Sequence, residues 1–230
     1  MVIRVTEEAQ ARIAAAIAAA EARTSGEIFC VLAGRVSSYR DVSLAWAASA
    51  ALILPLALIP LGFDPGWLPG FAGGWEAAHL AAREVSTGQA LGAYAILQAV
   101  LFVSVYLITR IPAVTRWVTP RAVRRARNRS AAVHQFLAHG LHGTEGRTGV
   151  LLFAALSDHQ VEVVADAGIH AQVDQTVWAE AVEVLARGLK RGDAATGFEA
   201  AVARCGEVLA AHFPPGHGDR NELADRLVII

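Results

Sequence analysis

The stretch 147–169, RTGVLLFAALSDHQVEVVADAGI, holds the residues of this chain best suited to chemistry. Asp158 sits in what reads as a hairpin turn, Asp166 lies just past the second strand, and Asp174 opens the helical run beyond. Carboxylates gathered at one end of a sheet can hold Ca²⁺ or Mg²⁺, which take several oxygen ligands. A bound ion polarises a phosphate and turns water into a nucleophile. The plainer reading makes Asp158 a turn former and Asp174 a helix cap, roles that select Asp in any case. Arg147, at the entry to the first strand, is a candidate for binding a phosphate or a partner carboxylate. It can equally serve helix-end carbonyls.

Other chemistries find less support. His134, His139 and His142 cluster near a helix end, but spacings of five and three do not put all three on one helical face. His212 and His217 flank Pro-Pro-Gly and are equally poor ligand candidates. The chain has two cysteines, Cys30 and Cys205, with no C-x-x-C pair, which argues against a disulfide framework or a zinc ribbon. Cys30 lies inside an apolar run, where a buried thiol is inert. Ser157 has no G-x-S-x-G setting. No Walker A loop or G-x-G-x-x-G occurs, so nucleotide binding has no motif to stand on.

The elements that position these residues are interrupted by apolar sequence. The chain has 230 residues, 54% of them hydrophobic, with a formal net charge of −1 and a mean hydropathy of +0.40. No charged residue occurs in Val42–Phe63 or in Val85–Thr109. About 20 apolar residues cross a bilayer core as a helix. Two spans are therefore expected, at about 42–62 and 89–109, with a connector at 63–88. Arg110, Arg116, Arg121, Arg124, Arg125, Arg127 and Arg129 follow the second span, Arg35 and Arg40 precede the first, and the connector has Arg83. The positive-inside rule then puts both termini in the cytoplasm and the connector outside. Trp46, Tyr106 and Trp117 fall near the inner boundary, Trp67 and Trp75 near the outer one. Residues 75–85 suit a short interfacial helix. Arg121, Arg124 and Arg125 read as contacts for anionic lipid, which already accounts for the basic run without nucleic acid. MVIRVTEEAQ lacks a basic start followed by an apolar run, so no cleaved signal peptide is expected.

The remaining sequence alternates helix and strand. Thr6 suits the cap of a first helix, with Ala9, Ile13, Ala16, Ile17 and Ala20 on one face. EIFCVLA (27–33) reads as a buried strand. After the spans, Thr119–Pro120 starts a helix whose small or apolar face is Val123, Ala126, Ser130, Val133 and Leu137. Strands at 148–156 and 160–165 pair antiparallel through a short link. Helices follow at about 174–190, with Val177, Val184 and Leu185 inward, and at about 195–212, separated by Gly192. Asp219 and Glu222 have capping-box spacing, which predicts a short helix before a terminal strand or frayed end. Neither flank makes a domain alone. Residues 1–40 and 111–230 together give one α/β unit, interrupted by a transmembrane hairpin at 41–110.

This order, with TSGEI (24–28), RTGVLLF and SDHQVEVVADAGI, resembles the TPM domain family, which includes thylakoid lumen photosystem-repair proteins and many bacterial membrane proteins. HFPP (212–215) and DRNEL (219–223) look like its bacterial membrane-anchored branch. The resemblance implies a TPM-like sandwich with a small central β-sheet flanked by helices, in the bacterial cytoplasmic (inner) membrane. It implies two kinds of activity: accessory work in assembly, repair or maintenance of a membrane complex, or a divalent-metal-dependent acid-phosphatase-like hydrolysis using Ca or Mg. It also suggests partners, a LemA-like protein or another TPM protein. The family's loop acids correspond to Asp158 and Asp166, while Ala167 and His170 stand where a further acid would help. With so few catalytic groups, the accessory role is the expectation and the hydrolase the alternative.

Overall fold

The computed structural model describes residues 5–58, 60, 87–216 and 221–230. The chain divides into two compact units: Tyr39–Pro120, and a discontinuous one made of Met1–Ser38 with Arg121–Ile230.

The discontinuous unit is built on four strands: β1 (Glu27–Ala33), β2 (Gly149–Ala155), β3 (Gln160–Ala165) and β4 (Leu227–Ile229). Their order is β3-β2-β1-β4. β1 runs parallel to both β2 and β4, while β2 and β3 form the antiparallel hairpin expected from sequence. Every residue of β1 and β2 is buried. That suits central strands covered on both faces, which read as continuous apolar runs rather than alternating ones. The C-terminal residues are a strand, held to β1 by Ile230 N–H donating to Leu32 O at 3.0 Å.

Helices cover both faces. α1 (Glu7–Glu21) starts at Thr6, whose hydroxyl accepts the Ala9 N–H at 3.2 Å, and buries Ile13, Ile17 and Ala20. These residues join Ile28, Cys30, Leu32, Val150 and Leu152 in the larger core. The same core takes in Leu185 of one late helix and Phe198 and Leu209 of the other. On the opposite face, Phe29, Val31, Leu151 and Phe153 meet Ala132 and Phe136.

Several sequence expectations need correction. The helix after the apolar segment is preceded by a separate short one, Pro112–Val118, and itself spans Arg121–Ala138. Its buried stripe is Asn128, Ala132 and Phe136. Val123 and Val133 are half-buried, Ala126, Ser130 and Leu137 exposed. The two stripes differ by a rotation about the helix axis, and Phe136 offers more area to bury than the small residues of the expected face. Val177 is 42% exposed. It lies in a 3₁₀ turn (Gln175–Trp178) before the α-helix Ala179–Arg191, so the helical spacing used to place it inward does not apply. The final helix is Ala194–His212, and Gly192, at φ +77°, ends the one before it. Asp219 and the connector residues Trp67, Trp75 and Arg83 lie outside the described residues. Residues 221–226 are not helical, and Glu222 instead accepts the Glu145 N–H at 3.0 Å.

In chain order the unlabelled helices are α2 (Arg40–Leu58), α3 (Thr87–Thr109), α4 (Pro112–Val118), α5 (Arg121–Ala138), α6 (Ala167–His170), α7 (Ala179–Arg191) and α8 (Ala194–His212). α7 and α8 approach so closely that a Cβ on Gly188 would lie 2.6 Å from the Gly197 Cα.

The second unit holds α2 to α4. α2 and α3 are long and apolar enough to cross a membrane. Their mutual packing buries small residues, Ser43, Ala47, Ala51 and Ala93, as interfaces between apolar helices do. Large apolar side chains face outward: Leu52, Ile53 and Leu56 on α2, Leu91, Val100 and Leu107 on α3. α2 continues through Pro55. Trp46 Nε1 donates to the Val118 carbonyl at 3.1 Å.

Candidate functional site

The carboxyl ends of β1 and β2 lie side by side. In sheets with parallel strands this edge is where ligand sites are commonly built. The link after β2 carries Ser157, Asp158 and His159, with His159 at φ +52°. Asp158 is 6% exposed. It accepts the Asn128 Nδ2–H at 2.9 Å. The same Asn128 nitrogen lies 2.8 Å from the Arg124 carbonyl and 3.0 Å from Gln160 Oε1. An amide nitrogen has two hydrogens, so three acceptors share them. Asn128 is fully buried.

Around this network the bonding is incomplete. Arg124 Nε, Ser157 Oγ and Asn128 Oδ1 are enclosed and have no hydrogen-bond partner among the described residues. Arg127 donates to Ser37 Oγ at 2.6 Å. Arg129 donates to the Val163 carbonyl at 3.0 Å and lies 3.9 Å from Glu162. α5 thus gives Asp158 one buried amide donor, while Arg127 and Arg129 bond to Ser37 and to β3. Sequence reading passed over Asn128. Its signal was an Asn four residues before Ala132 and eight before Phe136, the spacing of one helical face.

The other predicted residues lie elsewhere. β3 runs back antiparallel, so Ala165 pairs with Val150 while Gln160 pairs with Ala155. Asp166 is therefore at the opposite end of the sheet from Asp158, roughly 20 Å away for strands of this length. Asp166 Oδ1 accepts the Ala167 N–H at 2.6 Å, and its Oδ2 is enclosed without a partner among the described residues. Asp174 caps the 3₁₀ turn, taking Thr176 N–H at 2.8 Å and Thr176 Oγ1–H at 2.7 Å. These bonds hold its pKa below the usual value. Arg147 is exposed at φ +50°. Arg121 and Arg125 are exposed on α5, and Arg124 is half-buried.

Asp158, Asp166 and Asp174 are not brought together. Among the described residues no three His, Cys, Asp or Glu side chains stand close enough to hold a metal ion. Asp158 also faces an N–H donor, where a cation would want another oxygen. This donor set does not fit Ca²⁺ or Mg²⁺. The His139 ring packs tilted by 34° against Phe29, 4.5 Å between ring centres, and burial lowers its pKa. Cys30 and Cys205 are fully buried, and burial raises both thiol pKa values, Cys205 to about 12.

A second set of acids, which the sequence did not single out, closes the amino end of β1. Glu27, 5% exposed, accepts the Glu222 N–H at 3.1 Å and the Leu223 N–H at 3.3 Å. Glu21 accepts the Ile28 N–H at 2.7 Å. Burial, with help from the charges of Glu27 and Asp225, raises its pKa to about 8.

Residues 116–208 match the family model described as the TPM domain. The chain carries a TPM-like domain. Its fold is also similar to the NMR structure of BA42 protein from the psychrophilic bacterium Bizionia argentinensis. The TM-score is 0.56 and the identity 16%, with 100% of this chain and 98% of that one covered. No curated protein matches the chain. The TPM-like α/β fold read from sequence is therefore shown, with β1 and β4 supplied from outside the matched span.

Proposed function

We propose that this chain is a membrane-anchored accessory module whose TPM-like unit binds another membrane protein during assembly, repair or maintenance of a complex. The observation that carries this reading is the joining, in one chain, of a TPM-like unit to two apolar helices with outward-facing large side chains. In water such a surface would drive aggregation, whereas in lipid it is the expected outer face. The arginines after α3 favour an inner-membrane anchor with both termini cytoplasmic, and Arg121 and Arg125 suit anionic headgroups. The hydrolase reading needs carboxylates gathered around a divalent ion, and the described residues offer no such set.

The test is affinity purification from membranes in mild detergent, with mass spectrometry of the eluate and an unrelated tagged two-span protein as control. A reproducible stoichiometric membrane partner is expected. A chain that extracts with alkaline carbonate, or elutes alone from intact membranes, sinks the reading.

A further inference from the structure

β3 is an edge strand. Asp166 N–H donates to the Gly149 carbonyl at 2.9 Å, which makes their pair a hydrogen-bonded one. In an antiparallel ladder such pairs alternate. Val164, Glu162 and Gln160 therefore turn their backbone groups toward β2, and Val161, Val163 and Ala165 turn theirs toward the open edge. The Arg129 bond to the Val163 carbonyl agrees with that phase. No other strand covers this edge among the described residues.

The edge is recessed. A cleft of about 500 Å³ runs along it, with Arg129 and Glu162 on the α5 side and Trp178 and Val182 on the α7 side. Trp178 is 4% exposed, yet its Nε1–H has no acceptor among the described residues. A buried donor left unsatisfied is costly, so an incoming acceptor at this point is favoured.

We infer that this cleft binds an extended peptide segment of a partner protein, added beside β3 as a fifth strand. The outward backbone groups of Val161, Val163 and Ala165, of which only the Val163 carbonyl is already taken, by Arg129, call for main-chain donors and acceptors, which is strand addition. The walls set the side-chain pattern. Residues of the ligand turned toward α7 meet Val161, Trp178 and Val182 and are mainly apolar, with Glu183 and His170 also lining the cleft. Alternate residues turned toward α5 meet the Arg129–Glu162 ion pair and are polar. The orphan indole takes a carbonyl of the segment. A folded second copy fits less well, because two walled edges cannot both enter the other's cleft.

This inference rests on the accessory reading and deepens it. The probe is a displayed library of random ten-residue peptides, panned on the full chain in nanodiscs, with the unrelated two-span protein as counter-selection. Enriched sequences with apolar residues at every second position are expected. Their binding should slow hydrogen exchange at Val161, Val163 and Ala165. Val163→Pro removes one outward N–H and no ladder bond, a change edge strands tolerate; it should weaken binding at least tenfold while leaving the melting curve in place. Trp178→Phe, which deletes the indole N–H and leaves a smaller ring in the core, should weaken it severalfold. No enrichment over the control, binding indifferent to Val163→Pro, or protection elsewhere overturns the proposal. Edge amides protected in the protein alone, with a dimer mass, overturn it in favour of a second copy. If the native partner co-purifies equally with Val163→Pro, the accessory reading stands and the cleft is not its seat. If peptides bind the cleft but no native partner co-purifies, the cleft stands and the accessory reading falls.

Discussion

At the amino end of β1, Glu27 is buried and takes two backbone N–H groups from the tail, those of Glu222 and Leu223. At the carboxyl end of β2, Asp158 is buried and takes a side-chain N–H from Asn128. Main-chain donors exist whatever the tail's side chains are, so Glu27 latches a segment by its path. A side-chain donor exists only while that residue is Asn or similar, so this bond of Asp158 is tied to one identity. The carboxyl end also retains enclosed atoms without partners, at Arg124, Ser157 and Asn128. One end of the sheet is closed by the chain's own tail, and the other keeps spare bonding capacity. Unspent buried donors are where a ligand or an ordered water gains most.

The comparison breaks most sharply at the latch. Glu27→Ala removes the acceptor of two tail N–H groups, at about 1–3 kcal/mol for each donor left unsatisfied. Pulse proteolysis of the full chain in detergent should show a marked loss of stability and new cleavage after Phe213. An unchanged pattern would mean the tail is held by β4 pairing and the Glu222–Glu145 bond without Glu27. Asn128→Leu comes next. It strips the donor from Asp158 and Gln160 and should cost about 1–3 kcal/mol, with Asn128→Asp worse at neutral pH and partly recovering on acidification. A neutral result for both would remove the network from any account of the site.

Glu21 gives the most diagnostic effect. Its pKa is about 8 in the folded chain, against 4.5 ordinarily. Between those values the folded state keeps a proton that the unfolded state has lost, so stability falls as pH rises. The contribution is full below about 4.5 and gone above about 8. His139, whose pKa is lowered, acts in the opposite sense around its ordinary 6.5, so the useful quantity is the difference between wild type and Glu21→Gln. That substitution should flatten the decline in thermal midpoint from pH 5 to pH 8. An unaltered slope would show that Glu21 does not carry the proton.

Much of this architecture was legible in the residues. EIFCVLA is uninterrupted by turn formers and became β1 at its expected bounds. Thr6 announced α1, and QVEVVA became β3. The inward face of α5 was not legible, because arginines dominate the helix and the stripe is completed by one Asn whose distant partners come from the β2–β3 link and the start of β3. Glu222 could not be separated from a helix cap by spacing, since its actual partner, Glu145 N–H, is set by tertiary structure. The separation of Asp158 from Asp166 was already implicit in the hairpin: an acid in the turn and an acid after the second strand must stand a strand length apart. The cleft beside β3 needed the ladder's phase, which no single sequence carries.

The parallel pairing of β1 with β2 has a consequence for synthesis. Ser25 and Thr148, joined by a hydrogen bond, are 123 residues apart in the chain. Both neighbours of β1, β2 and β4, leave the ribosome long after it does. Closing so long a loop is slow but carries only a modest added entropy, because the cost grows with the logarithm of length. Meanwhile EIFCVLA waits with both edges unpaired while two apolar helices emerge behind it. A chain arrested before residue 149 therefore exposes its stickiest strand, and the interval between those two points of translation is when this protein most needs a chaperone.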